Sequence, residues 1–119
     1  MKISSPIPKR LKIARQRLKI SQKELGIRAG IDAFSASPRM NQYEKGVHTP
    51  DYQTAFRISE QLGVLSCYLF CDDDEFADII MSYSSLDQQD RPDFIKAVKR
   101  LMAYKYTPQE ESEEELMEW

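Results

Sequence analysis

Three polar side chains able to read the edge of a nucleotide base lie close together in this chain. Arg39, Asn41 and Gln42 fall within residues 21–46, SQKELGIRAGIDAFSASPRMNQYEKG. Arg offers a bidentate donor pair that matches guanine, and Asn and Gln offer the donor and acceptor that match adenine. Such side chains discriminate only if a rigid element holds them away from the core. Ser21 followed by Glu24 is a capping box, the Ser taking the amide three residues on and the Glu reaching back. Leu25 and Ala29, four apart, give a helix over about 22–29 its buried stripe, and Gly30 is its left-handed stop. A second helix over about 38–45 ends at Tyr43-Glu44-Lys45-Gly46. Met40 and Tyr43 face the core, and Arg39, Asn41 and Gln42 face outward. Ser37 as N-cap with Pro38 at the first helical position is the preferred start, with Ser35 as the alternative cap.

Arg15, Ser21-Gln22, Leu25, Gly30, Tyr43-Glu44-Lys45-Gly46, Pro50 and Leu62-Gly63-Val64 together resemble the helix-turn-helix of the Cro/CI-type (XRE) transcriptional regulators. That family includes the lambda-type phage repressors, and the resemblance covers roughly residues 9–71. The stretch from Gly30 to Glu44 is about four residues longer than is usual there, with the extra residues in Asp32–Ser37. The resemblance implies a DNA-backbone contact at Gln22, with Lys23 beside it, where a helix N-terminus also attracts anions. It implies base reading at Gln42, flanked by Asn41 and Arg39, with Ser37, Arg39 and Asn41 as base or phosphate candidates, and phosphate contact at Lys45 and His48. It also implies a structural ion pair between Arg15 and Glu44.

Net charge agrees with a polyanionic partner. Residues 1–71 hold 12 Lys/Arg and 5 Asp/Glu, whereas residues 72–119 hold 5 Lys/Arg and 14 Asp/Glu. A basic half that carries the paired helices suits phosphate contact, and an acidic half should point away from it. No run of apolar residues is long enough to span a membrane. The first ten residues lack the apolar stretch of a secretory signal. Two cysteines in such a chain suggest free thiols in a reducing cytoplasm. Cys67 and Cys71 are read as small core residues of one helix; a disulfide would strain that geometry, and other metal ligands are missing.

The expected fold is all-α: a five-helix lambda-repressor-like DNA-binding domain with a two-helix C-terminal extension. Residues 1–8 form a flexible arm and residues 9–71 the DNA-binding domain. Helix one, about 8–19, uses Leu11, Ala14 and Leu18 as its core stripe. The fourth helix, capped by Asp51 or Thr49, uses Ala55, Phe56, Ile58 and Leu62, and a fifth covers about 65–71. Residues 72–105 are the extension, with stripes Phe76, Ile79, Ile80, Tyr83 and Ile95, Val98, Leu101, Met102. Residues 106–119 are an acidic disordered tail. No nucleophile–base pair, phosphate loop or metal constellation is present, so the chain reads as a non-enzyme with no cofactor, metal or small-molecule ligand. The expected partners are double-stranded DNA with a palindromic operator and a second copy of the chain, and no membrane. The alternative is a protein-interaction module, such as an antitoxin-like or phage anti-regulator protein.

Overall fold

A computed structural model describes residues 3–106 of the chain, and these are helical apart from their connections, with no strand. The helices are α1 (Ile7–Arg17), α2 (Gln22–Arg28), α3 (Ala33–Glu44), α4 (Tyr52–Leu62), α5 (Ser66–Leu69), α6 (Asp74–Ser85) and α7 (Arg91–Tyr106). They fall into two units, residues 1–85 and residues 86–119. The acidic tail read from sequence lies, beyond Tyr106, outside the described residues.

The first unit is organised around Leu11, Leu25, Met40, Ile58, Leu62, Tyr68 and Leu69, all almost fully buried. Burying an aliphatic side chain of this size stabilises by about 1.5–3 kcal/mol. Helix α1 begins earlier than the sequence indicates: Ser5 Oγ accepts from the Ile7 amide at 3.2 Å, and Pro8 pre-sets the backbone of its first turn. Ile7 is therefore buried and belongs to the core, not to an arm. Leu18 leaves the expected stripe: it caps α1, Lys19 then takes a left-handed φ of 57°, and the Leu18 side chain turns outward.

Asp51 caps α4, its carboxylate accepting from the Thr54 amide at 2.8 Å, and Gly63 ends that helix at a φ of 70°. Phe56, expected in the core, instead lies outside with Tyr52, their ring centroids 6.5 Å apart. Helix α5 stops at Leu69, so Cys71 falls after it. Cys67, within α5, is exposed, and of the two only Cys71 packs against the core.

Helix α6 is turned from its expected face. Ala77 and Ile80 enter the core while Phe76 and Ile79 lie at the surface. The cause is an anchor hidden within the basic run of α1. Arg10 is only 3% exposed; its Nε donates to the Cys71 carbonyl at 2.9 Å and its Nη2 to Asp74 Oδ1 at 2.7 Å. Its guanidinium also lies over the Tyr68 ring, 5.9 Å from the centroid. Lys9 joins Asp74 at 2.7 Å, and the hydrogen bonds from Lys9 and then Arg10 hold the Asp74 carboxyl below its ordinary value. In the second unit, none of residues 91–105 of α7 is fully buried.

Candidate nucleic-acid interface

Helices α2 and α3 pack more closely than any polar requirement would dictate, and a glycine permits it. A Cβ on Gly26 would lie 2.9 Å from the Ala36 Cβ and 3.1 Å from the Ala36 carbonyl oxygen. Ala36 and Met40 are thereby fully buried against α2. Ser21 caps α2 by accepting from the Glu24 amide at 3.0 Å. The Glu24 side chain does not return to Ser21; it pairs with Arg28 one turn on, at 2.9 Å. At the other end Gly30 takes a φ of 92° and the Ile31 amide donates to the Gly26 carbonyl at 2.9 Å. Arg57 of α4 donates to the Ala29 carbonyl at 3.0 Å, which ties the turn to the body.

The start of α3 corrects the sequence reading. Neither Ser37 nor Ser35 is the cap, and α3 does not begin at Pro38. Asp32 is the cap, its Oδ1 accepting from the amides of Phe34 at 3.0 Å and Ser35 at 3.1 Å. The hydrogen bonds with Ser35, foremost among the causes, hold the Asp32 carboxyl below its ordinary value. Pro38 lies inside the helix. Its missing N–H removes one internal hydrogen bond, a defect that costs about 3 kcal/mol in an isolated helix interior. Here it is offset by the cap and by the buried Ala36, Met40 and Tyr43. The extra residues are thus an added first turn of α3, not a loop before it.

That register sorts the candidate side chains. Ala36, Met40 and Tyr43, spaced four and three apart, form the inner face. The opposite face follows 34, 38, 41 and 45, again at spacings of four and three. Asn41 lies on that outer line and Gln42 beside it, both half-buried, and Lys45, the C-cap, ends it, exposed. Ser37 and Arg39 are exposed but sit on opposite flanks of the helix. Gln22 Nε2 donates to Asn41 Oδ1 at 3.4 Å, so the first turn of α2 and the outer face of α3 meet. Lys23 is exposed beside Gln22. Lys45 and His48 border a cleft of about 310 Å³ with Ser4, Ser5, Gly46 and Thr49.

One ion pair fixes the end of α3. Arg15 donates through Nε and Nη2 to both carboxylate oxygens of Glu44, at 2.8 and 3.0 Å, and through Nη1 to the Ile20 carbonyl at 2.9 Å. Its side chain is 14% exposed and that of Glu44 4%. The bidentate fork holds α1 and α3 in one orientation, as only a planar guanidinium can.

Four residues important to this arrangement escaped the sequence reading: Gly26, Asp32, Phe34 and Arg57. Asp32 carried a usable signal, a cap-forming residue just after the Gly30 stop. Gly26 and Arg57 carried none, because their partners are distant in sequence.

Nothing in the described residues groups three potential metal ligands, and no helix there is long and apolar enough to cross a membrane. No family model and no curated sequence matches the chain. Among solved structures, it is similar to the crystal structure of the transcriptional regulator BswR, with 41% sequence identity and a TM-score of 0.76. The match covers 82% of this chain and 97% of that one. At that identity over nearly the whole of its relative, the chain belongs to the family of this transcriptional regulator.

Proposed function

We propose that this regulator binds double-stranded DNA sequence-specifically as a Cro/CI-type helix-turn-helix protein, with α3 in the major groove. The observation that carries the reading is the outer face of α3. It presents Asn41, Gln42 and Lys45 together, beside Gln22, on a helix whose inner face is rigidly packed. Asn41 and Gln42 read base edges. Gln22 and Lys23 at the start of α2, and Lys45 and His48 around the cleft, hold the DNA backbone and set the register. Ser37 and Arg39, on the flanks, meet phosphates at the groove walls. Arg15 and Glu44 touch no DNA and act by holding α3 in place.

The protein acts as a homodimer. Helix α7 exposes Ile95, Val98, Leu101 and Met102, a stripe that needs an apolar partner, and α6 exposes Phe76 and Ile79. A second copy supplies such a partner, and its two-fold symmetry places two α3 helices about 34 Å apart, one DNA turn, on a palindromic operator. The test is selection of bound duplexes from a random pool by the full chain. An enriched palindromic motif is expected. A pool that stays random after repeated rounds would refute sequence-specific reading.

A further inference from the structure

Phe34 stands in the first turn of α3 with 94% of its surface exposed. An aromatic ring so exposed on a helix that buries Ala36, Met40 and Tyr43 calls for a partner. Its position says which one. Phe34 and Pro38 are one turn apart and continue the line of Asn41 and Lys45, so the outer face runs apolar, apolar, polar, basic from its N-terminal end. From Phe34 to Asn41 is roughly 10 Å along the axis, about three base-pair steps. In helix-turn-helix proteins base contacts come from the groove-facing side of the second helix, its N-terminal residues included. The one apolar group on a major-groove edge is the thymine C5-methyl. Asp32 holds the amides of Phe34 and Ser35, so the backbone that carries the ring is fixed before any encounter.

We propose that Phe34 is a specificity-determining residue that packs on a thymine methyl group of the operator, about three base pairs from the pair read by Asn41. This rests on the DNA-binding reading above and adds to it a sequence preference that hydrogen-bonding side chains do not supply. Pro38 extends the same apolar contact. Because the extra first turn of α3 creates this position, the preference belongs to the lengthened helix.

The experiment uses the full chain and the duplex selected from the random pool, with deoxyuridine replacing each thymine of one half-site in turn. Wild-type affinity should fall about fourfold at one thymine, the effect of losing one buried methyl, and stay unchanged at the others. Phe34→Ala should bind the thymine duplex about as weakly as wild type binds the deoxyuridine one, and should no longer distinguish the two. Its thermal melting should match wild type, since the ring is exposed. Sequence-specific binding that is indifferent to every deoxyuridine overturns the Phe34 assignment alone. A selected motif with no thymine in the outer half-site does the same. Failure to select any motif overturns the DNA-binding reading and this proposal with it.

Discussion

Helices α3 and α7 distribute apolar side chains in opposite ways. In α3, Ala36, Met40 and Tyr43 turn inward, and the outer side carries half-buried Asn41 and Gln42, with exposed Lys45 at one end and exposed Phe34 at the other. In α7, Ile95, Val98, Leu101 and Met102 are left at the surface. A helix with an ordered inner face and a polar outer one is built to present fixed hydrogen-bonding groups. A helix whose apolar stripe is exposed is built to be covered. Under the proposed function the contrast corresponds to two tasks, recognition by α3 and association through α7, and each can be broken without the other.

The largest effect is expected where α3 is anchored. Arg15→Ala leaves the nearly buried Glu44 carboxylate without its partner, and should destabilise by about 3–5 kcal/mol. Thermal unfolding followed by circular dichroism measures this, and an unchanged melting temperature would show that the pair holds nothing. Leu101→Glu places a charge in the α7 stripe. It should leave the melting of the first unit unchanged and convert the dimer to a monomer in sedimentation. Affinity for a two-half-site duplex should drop about a hundredfold, the effect of losing linked binding. A wild-type chain that sediments as a monomer, with and without DNA, would remove the association role from α7.

Within α3 the two kinds of contact should separate. Gln42→Ala should weaken binding to the selected site by about 1–3 kcal/mol and relax preference at one base pair per half-site. Lys45→Ala should weaken binding to all sequences alike and reduce the salt slope by about one. Equal losses across all single-base variants for Gln42→Ala would make it a positioning residue.

How far the sequence disclosed this division depends on the range of the contacts involved. Local signals were legible: the Ser21 cap, Asp51 as one of two candidate caps, the glycine stops, the order of the helices, and the placing of Asn41 and Gln42 away from the buried face of α3. Pro38 misled, because proline at a first helical position is a strong local signal, whereas the Asp32 cap and the buried Ala36 that override it act together. The turn of α6 was not legible, since it depends on Arg10 reaching Asp74 across 64 positions. Gly26 was silent for a different reason: what matters there is the missing side chain, which leaves no periodicity.

The smallest effect concerns acid. Asp32, Asp51 and Asp74 all have depressed carboxyl values in the fold, each through hydrogen bonds it accepts. Groups of this kind contribute stability that is present above the unfolded value, about pH 4, and lost as pH falls below it. Melting temperature should therefore be flat from pH 7 to about pH 4.5 and decline below. Asp32→Ser keeps a capping oxygen but removes the titration. It should soften the acid decline, and an identical decline in that variant would show that the Asp32 cap is not part of it.

The central claim is that the outer face of α3, with the first turn of α2, is where DNA is held. Amide chemical-shift mapping of the full chain during titration with the selected duplex tests it most directly. The account predicts the largest changes at Gln22, Lys23, Phe34, Asn41, Gln42, Lys45 and His48, with Ala36 and Met40 following weakly through the helix. Saturable binding with changes confined to α6 and α7, and none along α3, would contradict it.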